Sequence, residues 1–349
     1  MLPYCTANGS LSFSPDGSDE GIPEDKQFAR RVGSIYVAIG LVSIPISSFV
    51  LSVFIRPSLI HHSCYKIMAL TTALDIFNVL YSAVIPGFFS ILDIHHCKDG
   101  LWVSYVIGPS MFFWMMYCCT SEVLALNRML EFANRSWAQF LFEGKRVYFW
   151  FALALSYAMV GGVLLPGKFY FYNTYGGYIA VKTLSGEVRF RDTTYQGTRF
   201  FPSHNGSMLE GNTPHIIQIF NNFFKFVFIT ISYSLMLIFM YRRLRTHTIA
   251  STLKFQVRVS IQTLTIAVLA DAATLAYLVI GYVPLSPAVG AYAGMVVELS
   301  WISLHGGTGI IYMIMNRAVK QRLKEVFCGC ARIAPNDYTE NTREGTATH

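Results

Sequence analysis

Five ionisable side chains other than histidine, Asp75, Glu122, Lys225, Asp271 and Glu298, sit in stretches that are otherwise almost entirely apolar. A charge at mid-helix in hydrocarbon costs roughly 2.5 to 3.5 kcal/mol on insertion scales, so each is expected to face a protein interior and meet a partner. Gln218, Asn221, Asn222 and Lys225 fall at i, i+3, i+4 and i+7, which puts them on one helical face. Glu298, Trp301, His305, Thr308 and Tyr312 repeat that spacing, and Trp114, Tyr117 and Ser121 make a third such face. Together these faces describe a polar, aromatic cavity able to bind a ligand, with Lys225 opposed by Glu298 or Asp271. They describe equally a buried salt bridge that only fixes helix packing. Asp75 and Glu122 fit either a structural role or a conformational switch.

Enzyme signatures are absent: there is no phosphate-binding glycine loop, nucleophile elbow or zinc-protease helix. His61, His62 and Cys64, like His95, His96 and Cys97, resemble metal-ligand clusters, but they abut the ends of apolar runs, where polar side chains gather. No catalysis, metal, cofactor or nucleic-acid partner is expected. A retinal-type pigment would need a Schiff-base lysine on the last apolar run, which has none.

The elements that must position these residues are seven apolar runs: 33–55, 67–92, 101–125, 147–165, 216–240, 259–283 and 289–315. A hydrocarbon core of roughly 30 Å needs about 20 residues rising about 1.5 Å each, so every run is long enough to span it. Charged residues are 13% of the 349, hydrophobic ones 53%, and mean hydropathy is +0.42, a balance no water-soluble core absorbs. The expected fold is an all-α membrane protein, a seven-transmembrane helix bundle. Residues 1–32 form an N-terminal tail, 33–315 the bundle, and 316–349 a C-terminal tail.

Loop charge sets the expected orientation. With the N-terminus outside, the inner segments carry a net +11, the outer segments −1 and the spans −3, which together make the chain's +7. Lys and Arg stay on the cytoplasmic side, so N-out and C-in is favoured, although the residues flanking the first span lean weakly the other way. The sequons at Asn8 and Asn205 then lie outside as glycosylation sites, while the one at Asn134 lies inside. Only Cys5 and Cys97 face the oxidising side, which predicts a disulfide between them, the alternative being two free thiols.

At the expected cytoplasmic end of the third span, Leu124-Ala-Leu-Asn-Arg128 resembles the Asp/Glu-Arg-Tyr element of rhodopsin-like G-protein-coupled receptors. Arg128 is the candidate switch arginine, bonding polar groups on other helices at rest. Asn127, Asp75, Tyr233, Thr308 and Tyr312 join it as switch or coupling candidates. Thr308-Gly-Ile-Ile-Tyr312 occupies the place of that group's Asn-Pro-x-x-Tyr and keeps the tyrosine only. Residues 316–327 space Ala318, Leu323 and Phe327 among four cations, an amphipathic pattern suited to the inner leaflet. Cys328 and Cys330 beyond it are candidate palmitoylation sites, and the tail from Ala334 reads as disordered.

On Leu124-Ala-Leu-Asn-Arg128, Asp75 and Cys97, together with Ser63-Cys-Tyr-Lys-Ile-Met68, Ile44-Pro45, His305-Gly-Gly and Ile311-Tyr-Met-Ile-Met-Asn-Arg317, the chain resembles the nematode serpentine chemoreceptors, most of all class T. The resemblance covers spans one to three and seven. It implies a receptor at the plasma membrane of chemosensory neurons, sensory cilia included, that couples an external small molecule to a heterotrimeric G protein. The sixth span lacks a Trp-x-Pro element and the second outer loop lacks its cysteine, so activation details of rhodopsin-like receptors do not transfer wholesale. An odorant-gated channel subunit, with its N-terminus inside, and a seven-span transporter are the competing readings. The transporter expects an internal repeat, which is not visible.

Overall fold

In hydrocarbon a backbone can satisfy its N–H and C=O groups only within its own segment, and each apolar run accordingly forms a helix. The computed structural model describes residues 4–5, 11–12, 26–94, 99, 102–164, 169–172, 178–182, 188–189, 213–246, 251–282 and 287–328. The first span is α1 (Lys26–Phe54). A single short turn, α2 (Pro57–Ile60), leads to the second span, which comprises α3 (Ser63–Val79), a π-helical turn (Leu80–Val84) and α4 (Ile85–Leu92). Pro86 has no N–H to give to the preceding turn, and the wider turn just before it absorbs that loss. After α5 (Trp102–Ile107) the chain breaks at Gly108, and Pro109 opens α6 (Pro109–Ala133), the third span. The third span therefore runs eight residues beyond the apolar window that ended at Ala125.

Short α7 (Arg135–Phe142) precedes the fourth span, α8 (Val147–Met159) with a π turn (Val160–Leu164), at a bend of 65°. The fifth, sixth and seventh spans are α9 (Thr213–Thr246), α10 (Ser251–Tyr282) and α11 (Pro287–Met315). The helix after the last span is α12 (Arg317–Cys328). Among the described residues, four helical stretches are by themselves long and apolar enough to cross a membrane, belonging to spans one, two, five and six, and a fifth follows if the bent pair counts as one. Spans three and seven carry polar faces within their runs, Glu122 and Arg128 on one, Glu298 and His305 on the other. Small antiparallel strands lie outside the bundle: Tyr4–Cys5 with Leu11–Ser12, and Phe169–Tyr172 with Tyr178–Lys182 with Val188–Arg189.

The third span is central, packing against the second, fourth and fifth, while the first packs on the second and seventh and the sixth lies between the fifth and seventh. Spans one and two approach closely at Gly33 and Gly87, where a Cβ added to Gly33 would sit 2.6 Å from the Gly87 carbonyl oxygen. Below this, Phe54, Tyr65, Ile67, Met68, Phe142 and Tyr312 form a buried cluster, with Tyr312 edge-on to Phe54 at 4.9 Å. Val319 of α12 docks into the same cluster, and Asn316 caps that helix by accepting from the N–H groups of Ala318 (3.0 Å) and Val319 (3.3 Å). Toward its end α12 leaves Val326 and Phe327 exposed, an apolar edge beside four cations that suits a lipid surface.

Candidate functional site

The spacing-defined faces of the third, fifth and seventh spans meet. Trp114 Nε1 donates to Asn222 Oδ1 at 3.2 Å, joining the third span to the fifth. Asn221 Nδ2 donates to Asn222 Oδ1 and to Cys118 Sγ, both at 3.2 Å, and Asn221 Oδ1 accepts from the Tyr157 hydroxyl of the fourth span at 2.7 Å. On the other side Trp114 packs edge-on against Trp301 at 4.1 Å, and Tyr117 edge-on against His305 at 4.6 Å, which brings in the seventh span. His305 Nδ1 and Asp75 Oδ1 share a hydrogen bond of 2.7 Å, with both side chains within 2% of fully buried. One continuous belt of polar and aromatic groups thus crosses five helices, from Tyr157 to Asp75.

Lys225 sits inside this belt at 0% exposure, and its partner differs from expectation. Neither Glu298 nor Asp271 pairs with it. Asp271 accepts from Thr230 Oγ1 at 3.0 Å. The ammonium instead lies over the rings of Trp114 (4.4 Å to the centroid) and Tyr117 (5.1 Å) and makes no hydrogen bond among the described residues. The reason is geometric: the lysine shares its face with Asn221 and Asn222, and that face looks at the third span's aromatic stripe rather than at the sixth. Cation–π contact recovers about 0.5 to 2 kcal/mol, less than the several kcal/mol an ammonium loses on burial.

Sharing Asp75 and Tyr117 with the belt is a partly open cavity of about 30 Å³ lined by Asp75, Tyr117, Ser121, Tyr233, Thr308 and Tyr312, among others. It has room for one or two waters, and Asp75, whose Oδ2 is buried and unpartnered among the described residues, is part of its lining. Four of the six residues proposed from sequence as switch groups, Asp75, Tyr233, Thr308 and Tyr312, therefore share one small space. Asn127 and Arg128 lie apart, at the far end of the third span.

There Arg128 is buried but donates through Nε (3.1 Å) and Nη2 to Asn127 Oδ1 on its own helix, so among the described residues its hydrogen bonds do not reach other helices as expected. The cross-helix contacts come from Glu131 one turn on. Its carbonyl accepts from Arg243 of the fifth span at 2.9 Å, and its carboxylate accepts from Gln256 of the sixth. Sequence reasoning missed Glu131, Arg243, Gln256, Tyr157 and Cys118, and counted His305 only as a member of a face. Glu131 alone carried a signal, as an acid three residues after the candidate switch arginine. Of the remaining predicted residues, Cys97, Asn8, Asn205 and Cys330 lie outside the described residues, as do the side chains of Cys5, Gln218 and Cys328.

An arrangement of this kind, seven helices around a central third span, is the fold of the rhodopsin-like receptors. The crystal structure of squid rhodopsin superposes with a TM-score of 0.65 over 91% of this chain and 90% of that one, at 11% sequence identity, a likeness of fold. Residues 16–185 and 200–336 match the model of the serpentine type 7TM GPCR chemoreceptor family Srt. The chain belongs to that family and is a multi-pass membrane protein of receptor class. No curated protein matches its sequence.

Proposed function

We propose that this protein is a chemosensory receptor of the plasma membrane that detects an external small molecule in the belt formed by Trp114, Tyr117, Asn221, Asn222, Lys225 and Trp301 and signals to a heterotrimeric G protein at the opposite end. Gln218 and Glu298, on the fifth and seventh helices of the belt, and Asp271, on the sixth, are further candidates for ligand contact. The observation that carries the reading is the continuity of polar contacts from the belt through Asp75–His305 to the cavity holding Tyr233, Thr308 and Tyr312. A ligand that moved the third span against the fifth or seventh would disturb that cavity, and with it the helix that bears Asn127 and Arg128. In this reading the N-terminus is outside, Asn8 and Asn205 are glycosylated, Cys5 is bridged to Cys97, and Cys328 and Cys330 are lipidated beside the amphipathic α12.

Two coupled variants test it in cells carrying a G-protein reporter. Arg128→Ala is expected to reduce cue-evoked signal to background at unchanged surface expression. Glu131→Ala removes the side-chain contact that ties the third span to the sixth. Hydrogen bonds to charged groups are worth about 1.5 to 3 kcal/mol, so basal signal should rise by roughly tenfold or more. A current that persists without G protein, or a reporter silent in both variants and wild type across cue panels, would refute the assignment.

A further inference from the structure

We infer that the belt recognises an anionic ligand, a small carboxylate with an apolar or aromatic body, and that Lys225 is its counter-charge; this rests on the receptor reading above. The inference comes from a mismatch of donors and acceptors. Lys225 is fully buried, and Nζ finds no acceptor among the described residues. One turn away on the same face, Asn222 is equally buried, with Oδ1 used twice, by Trp114 and Asn221, and Nδ2 without an acceptor. Two unsatisfied donors, one of them a full positive charge, thus lie one turn apart on one face, and neither nearby acid reaches them: one oxygen of Asp75 bonds His305 and one of Asp271 bonds Thr230, while their second oxygens have no partner among the described residues.

Buried polar groups are satisfied almost without exception, and an unpaired buried charge is the costliest violation. A carboxylate offers two oxygens spaced to accept from both donors at once, in charge-assisted hydrogen bonds that a low-dielectric site strengthens. The rings of Trp114, Tyr117 and Trp301 supply an apolar surround for the rest of such a molecule; they pack on one another, so its body enters by parting them, and Trp301 is the one that is only partly buried. A neutral ester or alcohol of the same shape leaves the ammonium uncompensated. A cationic amine adds a second charge of the same sign.

The test uses the full-length protein in lipid nanodiscs and reads thermal unfolding with 3-phenylpropionate or octanoate against their methyl esters. The acids should raise the unfolding temperature and the esters should not. Lys225→Met should bind the acids about 10- to 100-fold more weakly, as expected for loss of a charged hydrogen-bond partner, and Lys225→Arg should keep the preference for acid. If Lys225→Met does not fold, Asn222→Leu serves in its place, with the shift from the acids reduced and the esters still without one. Equal shifts from acids and esters, no shift from any acid, or acid binding that survives Lys225→Met would overturn the inference. A reporter that answers esters through Lys225→Met as through wild type sinks the anion claim and leaves the receptor reading intact. Acids that bind while the reporter stays silent uphold the anion site and sink the receptor reading.

Discussion

Replacing Asp75 by Leu separates two accounts of the Asp75–His305 contact. The pair spans 2.7 Å with both side chains within 2% of fully buried, and the residues lie on helices two and seven. If it behaves as an ordinary polar contact between membrane helices, its coupling averages about 0.6 kcal/mol. If it behaves as a buried ion pair, removing one partner costs about 3 to 5 kcal/mol, and replacing both by apolar groups costs little or even stabilises. The second account fits the near-complete burial of both side chains. Globular chains lose about 2.1 cal/mol/K of entropy per residue, so over 349 residues each kcal/mol moves the midpoint by about 1.4 °C. Asp75→Leu and His305→Leu should each lower the midpoint by about 4 to 7 °C, and the double variant should recover most of that loss. Scanning fluorimetry on the four proteins in nanodiscs closes the cycle. Additive losses, with no recovery in the double variant, would show that the two groups act separately and refute the pairing.

Two further outcomes follow from groups at the ends of helices. His62, in the turn before the second span, has its pKa held below the ordinary 6.5 first by partial desolvation of an otherwise exposed ring and then by the neighbouring His61. A base so depressed is protonated more readily in the unfolded chain, so its stabilising contribution is full above pH 6.5 and is lost as pH falls through that value toward the lower folded pKa. Unfolding midpoints taken across that window should drop in wild type and drop less in His62→Asn; equal slopes would remove His62 from the account. Asn316→Ala deletes the cap of α12 and should cost about 1 kcal/mol, seen as faster amide exchange confined to Arg317–Cys328. Unchanged exchange there would mean that Val319's docking alone holds the helix.

Hydropathy located all seven helices because crossing hydrocarbon demands a long apolar run, but it reported the hydrocarbon core rather than the helix. The fifth span continues six residues past Met240 through Tyr241, Arg242, Arg243 and Arg245, and the sixth begins eight residues before Val259. Polar residues there hydrate at the interface while the backbone stays helical. The third span was misplaced most, since Glu122, Arg128 and Glu131 depress the local average while their helix runs on to Ala133. The polar faces of the third, fifth and seventh spans were legible from steps of three and four. Which face meets which was not, because a pair such as Asp75 and His305, 230 residues apart, leaves no local trace. Charge complementarity misled for Lys225: it pointed to a carboxylate, and the ammonium met ring faces, whose attraction is not written in formal charge.

The π turn at Leu80–Val84 amounts to one extra residue threaded into the second span, and an extra residue turns everything beyond it by about 100°. The two halves of this helix therefore keep separate angular registers. One half aims Asp75 at the seventh span, the other sets Gly87 against Gly33 of the first. A helical wheel drawn through the whole segment would mix the two. Deleting a single residue within the turn should leave a straighter helix of almost the same hydropathy that can satisfy the buried pair or the glycine contact, but not both.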